Sequence, residues 1–343
     1  MRVLLFALLA IVFSPLQLIG SLVYAFRVRF VNMPRGISGT AYEPYMARLL
    51  FHRTTSRNDE AAERIAPHLP ALSPLVLLMI ETLVLAARWS GFRGSFLAYP
   101  GPRPSTLMTL ISHRTHFFDS AVAAAAATDS LIRQFVVLGA GWDTRSYGPL
   151  PGGADLRALG GRDSGEALRL FEVDEPPTQE AKVEALRAGG IDCDHVVFAP
   201  TDFNQQSWLE SLTEHGFDPD SPTFILWEGV TMYLDDAAID KTLSEVAGLA
   251  PGSRIAFDFF SREFVFGRKP FVVLGSYAKY AIKSFYRESW HFGISTAAPA
   301  HERAREFIEA RGLKLQSFEA LGGEAERGTP VGGLIVADVP ANR

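Results

Sequence analysis

Three acids sit where apolar runs end, and their positions could hold a small polar ligand. Asp174 closes the run at 168–174, Asp202 and Phe203 follow the run at 195–201, and Glu228 follows Thr-Phe-Ile-Leu-Trp at 223–227. A carboxylate placed like Asp174 can accept hydrogen bonds from both hydroxyls of a ribose. Asp202 can accept from an exocyclic amine while the Phe203 ring packs on a base. Glu228, after five apolar residues, is costly to bury unless it is paired or faces a ligand. Each acid alone could equally be solvated or cap a helix; three at successive run ends are harder to account for that way. The run at 134–138 leads into Gly139, Ala140 and Gly141, a turn that lets backbone approach a ligand closely. Thr144 stands where a G-x-G-x-x-G fingerprint needs glycine, so the pyrophosphate cradle is incomplete and a nucleoside without phosphates fits better.

Such residues need a scaffold that brings run ends together. Short apolar runs at 134–141, 168–174, 195–202, 223–229 and 254–260 alternate with helical patterns, which predicts parallel strands covered on both faces by crossover helices. Two further runs, at 313–321 and 332–339, lie close enough to end the sheet with an antiparallel edge. The expected class is α/β, a mostly parallel sheet whose ligand sits beyond the carboxyl ends of the strands. The segment before it, about 27–115, reads as helical and irregular, punctuated by Pro100, Gly101, Pro102 and Pro104.

Taken in order, LGAGWDTR, FEVDEP, PTDF and LWEGVTMYL resemble the successive motifs of the leucine carboxyl methyltransferase family, whose members use S-adenosyl-L-methionine. HRTHFFD at 113–119 is similar to the arginine-bearing segment upstream of the family's first strand, and GTAYEPYMARL at 39–49 to its substrate-side segment. The resemblance covers roughly 37–260 and implies a Rossmann-like methyltransferase sheet with S-adenosyl-L-methionine as cofactor. It implies Arg114 as partner of the cofactor's carboxylate, where a bidentate guanidinium is suited. It places Gly139 and Gly141 beside the methionine moiety, Asp174 on the ribose, Asp202 and Phe203 on the adenine, and Glu228 near the amino end. Tyr42 and Tyr45 are substrate-side candidates by resemblance only. The chain departs from the family at Ser38, where a lysine is expected, and at a glycine-rich insertion over 151–166, expected as a surface loop.

The resemblance implies O-methylation, with a carboxylate of a small molecule or a protein C-terminus as acceptor. A carboxylate is already anionic, so alignment and exclusion of water suffice and no catalytic residue is assigned. A small-molecule hydroxyl is the alternative acceptor, for which His113, His116 or His291 could act as base. A nicotinamide oxidoreductase is disfavoured by Thr144 and by the 35 positions between Gly139 and Asp174, where about 20 are expected. A catalytically silent scaffold would not need three acids at strand ends.

Composition narrows the class further. The 343 residues are 48% hydrophobic and 21% charged, which excludes wholesale disorder, and a net charge of −5 without a basic run argues against nucleic acid as partner. Cys193 is the only cysteine, so no internal disulfide is possible, and no Cys/His cluster has metal-ligand spacing. Val3 to Phe26 carries no charge over 24 residues, enough for one membrane span at about 1.5 Å per residue. Arg27, Arg29 and Arg35 follow it, which predicts an anchor with the remainder cytoplasmic. A cleaved signal and a buried or interfacial apolar helix broken near Pro15 are the rivals, and a soluble cytoplasmic protein is the alternative placement. A second stretch, Leu75 to Ala87, has Glu81 at its centre and reads as a lid or membrane-surface helix. The expected organisation is an anchor at 1–30, a helical lid at 31–115 and the ligand-binding domain at 116–343.

Overall fold

The computed structural model describes every residue except 55, 95–96, 128–130, 159–167, 204–205, 326–327 and 342–343. Half of the insertion expected as a surface loop, 159–166, therefore lies outside the described residues. Helix α1 (Arg2–Arg27) continues through tighter and wider turns as far as Arg35, and is followed by α2 (Tyr42–Arg53), α3 (Glu60–Ile65), α4 (Pro74–Ile80), α5 (Thr82–Ser90) and α6 (Leu110–Ala125). The α/β part then runs β1 (Gln134–Leu138), β2 (Arg169–Asp174), α7 (Pro176–Ala188), β3 (Val196–Pro200), α8 (Trp208–Glu214), β4 (Thr223–Trp227), α9 (Asp236–Ala247) and β5 (Arg254–Phe260). It closes with α10 (Arg262–Val265), α11 (Val272–Tyr286), α12 (Ala300–Glu309), β6 (Lys314–Leu321) and β7 (Gly332–Asp338). Helix α6 passes straight through residue 115, where a boundary was expected.

The sheet is Rossmann-like, in the order β3-β2-β1-β4-β5-β7-β6, with the first five strands parallel. The antiparallel strand β7 is inserted between β5 and β6, so it stands one place in from the edge. Strands β1 and β4 are buried at every residue, because helices cover both faces, and this is why their sequences are unbroken apolar runs rather than alternating ones. Strand order reverses between β1 and β4, and the crevice beyond their carboxyl ends is where such sheets bind ligands.

Helix α1 does not break at Pro15. Proline removes the N–H that would serve the Ile11 carbonyl, and the Ser14 hydroxyl donates to that carbonyl instead, at 2.7 Å. The apolar stretch at 75–87 is not one helix but two, α4 and α5, divided at Glu81, whose carboxylate is ion-paired with Arg53 of α2. Together they run antiparallel to α1: Phe92 stacks on Phe6 at 4.6 Å, Thr82 donates to Gln17 at 2.6 Å, and Arg27 donates to the Pro70 carbonyl at 2.8 Å. The helices meet closely at Gly20, where an added Cβ would lie 2.6 Å from the Met79 Cβ.

Candidate functional site

Beyond the carboxyl ends of β1, β2 and β4 lies a cavity of about 490 Å³, within the usual range for small-molecule sites. At the strand ends it is lined by Gly139, Gly141, Asp174, Phe203 and Glu228, and elsewhere by Ser38, Thr40, Arg48, Tyr233, Tyr286 and Glu288. Gly139 adopts φ +65° directly after β1, and a Cβ there would sit 2.4 Å from Val230 Cγ2, so only glycine fits. The turn is held by the Gly139 and Ala140 N–H groups, which both donate to the Val173 carbonyl.

Asp174 is the last residue of β2. One carboxylate oxygen accepts from the Gly141 N–H at 2.5 Å and the other from the Glu175 N–H at 2.7 Å. Each oxygen keeps a further lone pair for the cavity, which suits two vicinal hydroxyls. Burial pushes this carboxyl up to about 6, although the two N–H groups favour the ionised form. A ligand held through the ionised carboxylate is therefore expected to bind with full affinity above about pH 6 and more weakly as the pH falls through that value. Calorimetric titrations between pH 5 and 8 check this; an affinity that rises on acidification would contradict it.

Behind the cavity wall lies a buried charge network. Arg145, fully enclosed, reaches Asp119 at 2.7 Å, Asp143 at 2.5 Å and Glu228 at 2.7 Å. Arg48 reaches Asp143 at 3.2 Å and Glu228 at 3.7 Å. Burial alone would raise Asp119 and Asp143, but the neighbouring guanidinium groups outweigh it and hold both below the usual carboxylate range. Thr144, the residue that breaks the dinucleotide fingerprint, donates to Asp59 at 2.8 Å and so belongs to this network.

Of the residues singled out in the sequence, the structure brings Gly139, Gly141, Asp174, Phe203 and Glu228 together around one cavity. Asp202 is half-buried beside Phe203 and is not on the lining. Arg114 is buried behind Glu228, with Nε 3.4 Å from that carboxylate and a terminal nitrogen 3.3 Å from Asp258. Two carboxylates engage it, and it does not line the cavity. Tyr42 is enclosed between Tyr24 and Trp142, and Tyr45 donates to the Ala62 carbonyl at 2.7 Å, so both are core residues rather than cavity residues. His291 lines the cavity, whereas His113 lies 2.6 Å from Glu319 and His116 packs edge-on against Tyr99.

Four wall residues escaped the sequence reading. Arg48 and Tyr233 lie inside quoted motifs but carried no distinguishing signal. Tyr286 and Glu288 sit roughly 250 positions from the Ser38–Thr40 segment they face; Thr40 donates to Glu288 at 2.6 Å. Burial raises the Glu288 carboxyl, against the stabilising effect of the Thr40 hydroxyl. Among the described residues no cluster of His, Cys, Asp and Glu is arranged to hold a metal.

Residues 99–247 match the model of the leucine carboxyl methyltransferase family, in line with the resemblance expected from the motifs. The chain is 33% identical over 195 residues to a candidate S-adenosyl-L-methionine-dependent methyltransferase of Parafrankia sp. (strain EAN1pec), covering 54% of each chain. It is 38% identical over 157 residues to another from Mycobacterium marinum, covering 45% of this chain and 44% of that protein. The chain thus spans about half the length of the curated relatives it matches. A solved structure of a candidate methyltransferase from Thermobifida fusca is 15% identical, covering 81% of this chain and 94% of that one, with a TM-score of 0.45.

Proposed function

We propose that the chain binds S-adenosyl-L-methionine in this cavity and transfers its methyl group to an oxygen acceptor, with a carboxylate of a small molecule or protein C-terminus as the acceptor. The observation that carries the reading is Asp174, its two oxygens oriented by backbone N–H groups toward a cavity flanked by Phe203 and floored by a glycine turn. The group fits these residues. Asp174 would receive the ribose hydroxyls, Phe203 would flank the adenine with Asp202 beside it off the lining, and Glu228, which has one buried oxygen without a hydrogen-bond partner, would receive the ammonium. Arg114 would act from behind Glu228, by fixing that carboxylate. When bound, the cofactor supplies a methyl group on a positively charged sulfur. Transfer of that methyl would leave the bonding electron pair on sulfur, and the acceptor oxygen would supply the pair for the new bond. A carboxylate acceptor loses its charge in this step and no proton moves, so the residues of the wall need only align it and exclude water. Arg287, exposed on the lining, offers positive charge to such an acceptor.

A hydroxyl acceptor is the second reading, and Glu288 favours it. A hydroxyl must lose its proton, and Glu288 is a cavity carboxyl whose raised pKa suits a general base. The readings separate on product chemistry: a methyl ester releases methanol in mild alkali and an ether does not. They also separate on Glu288→Gln, which is expected to leave carboxylate methylation within about threefold while lowering hydroxyl methylation by about 10²-fold or more. For a hydroxyl acceptor the wild-type rate rises with pH through a pKa above the ordinary glutamate range, and the glutamine variant loses that rise.

Helix α1 supplies the placement. Over Arg2–Arg35 it is 34 residues long with a mean hydropathy of 2.4 in its most apolar part and little of it buried. We read it as an anchor that holds the α/β part at the cytoplasmic face, the arginines at its carboxyl end favouring that side.

A further inference from the structure

Two of the segments that line the cavity directly continue helices that expose apolar residues. Met33, Ile37 and Ser38 follow α1; Arg287, Glu288 and Ser289 follow α11. Helix α11 exposes Val273 (83%), Tyr277 (69%) and Tyr280 (70%), spaced so that they share one face. Its carboxyl end packs on the base of α1, where an added Cβ at Gly39 would meet Tyr286 at 2.6 Å and Val28 at 3.0 Å. Charge follows the same two helices. From 264 to 287 there are five basic residues, Arg268, Lys269, Lys279, Lys283 and Arg287, and no acidic one, in a chain of net charge −5. The chain has no acidic residue before Glu43, while Arg27, Arg29 and Arg35 ring the base of α1.

We propose that α11 and the base of α1 lie together on an anionic lipid bilayer, and that the methyl acceptor is a membrane-resident amphiphile whose polar head enters the cavity between them. An apolar stripe with tyrosines and flanking lysines is the pattern of a helix lying in a bilayer interface, the long basic side chains reaching the headgroups. The core of a protein–protein interface is depleted of lysine, so a second protein fits this face less well. Helix α1, which leads into the Ile37–Ser38 segment of the lining, is itself apolar enough to enter the same bilayer. An acceptor already in the bilayer would reach the cavity without crossing water. The part concerning the acceptor rests on the methyltransferase reading; the bilayer contact of α11 does not.

The test uses the full chain with its one cysteine, buried Cys193, replaced by serine and with single cysteines placed at Val273, at Leu22 of α1 or at Lys241 of α9, each carrying an environment-sensitive dye. The proteins are reconstituted into phosphatidylcholine vesicles with or without phosphatidylglycerol and spin-labelled lipid. Labels at 273 and 22 are expected to be quenched by spin-labelled lipid, the one at 273 more strongly with phosphatidylglycerol, and the label at 241 not at all. A label at 273 that stays in water while 22 is quenched overturns the proposal, as does shielding of 273 by dimerisation without lipid. In a second arm, methyl-labelled S-adenosyl-L-methionine is supplied with a total lipid extract of the host's membranes or with its water-soluble metabolites. Label partitioning into organic solvent, lowered about tenfold by Tyr277→Ser/Tyr280→Ser at unchanged cofactor affinity, is expected. Label confined to water-soluble or protein products overturns the acceptor class. Cofactor affinity measured on the same samples separates the failures: no binding at all defeats the methyltransferase reading, whereas binding without quenching at 273 defeats only the membrane placement of α11.

Discussion

Arg145→Met is expected to lower the free energy of unfolding by about 3–5 kcal/mol, because it strands three buried carboxylates whose shared cation is gone. Asp119, Asp143 and Glu228 all lie within 2.7 Å of this guanidinium, which has no exposed surface. Arg48 and Arg57 reach some of the same acids and would offset part of the loss. The pH dependence has a definite sign. Asp119 and Asp143 have depressed pKa values in the native protein, so their stabilisation is present above the ordinary aspartate pKa and is lost as the pH falls toward the depressed values. Without Arg145 the same acids are easier to protonate in the folded state. The gap between variant and parent should therefore narrow on acidification below about pH 5. Urea unfolding of both proteins at pH 7 and pH 4 measures it, and a gap that widens in acid would remove the charge network as the cause.

Asp174→Ala is expected to weaken S-adenosyl-L-methionine binding by at least tenfold and up to about 10²-fold, since hydrogen bonds to a charged group contribute about 1.5–3 kcal/mol and two hydroxyls lose their acceptor. The substitution also frees the Gly141 and Glu175 N–H groups that the carboxylate holds. Asp174→Asn separates the two contributions: it keeps an acceptor and much of the shape but not the charge, and should retain more affinity than alanine while losing the dependence on pH near 6. A folded alanine variant with unchanged affinity would take Asp174 out of the site.

What the sequence disclosed and what it hid divide along a physical line. The positions of Asp174, Phe203 and Glu228 follow from local facts, because an apolar run of strand length fixes where its carboxyl end falls and parallel pairing puts such ends side by side. The glycine turn was legible for the same reason, since Gly139 has no room for a Cβ. Contacts between distant segments were not. Glu288 meets Thr40, and Arg48 meets Asp143, only because the helical segment before the sheet folds across its carboxyl edge. Arg114 shows how a motif match can identify a residue without its environment: the arginine is where the resemblance puts it, yet Glu228 and Asp258 stand against it and it is shielded from the cavity. The stretch at 75–87 gave its hydrophobicity plainly but not its partner, because its pairing with α1 depends on Gly20 and Gln17, which an apolar sequence does not announce.

Equilibrium binding of S-adenosyl-L-methionine and of NAD to the intact chain in lipid nanodiscs shows which cofactor the cavity takes. S-adenosyl-L-methionine is expected to bind at one site per chain, weakening below about pH 6, with no saturable binding of NAD, whose pyrophosphate would find Thr144 engaged with Asp59 where the dinucleotide fingerprint has glycine. Binding of NAD in preference, or binding of neither by a folded protein, would contradict the methyltransferase reading.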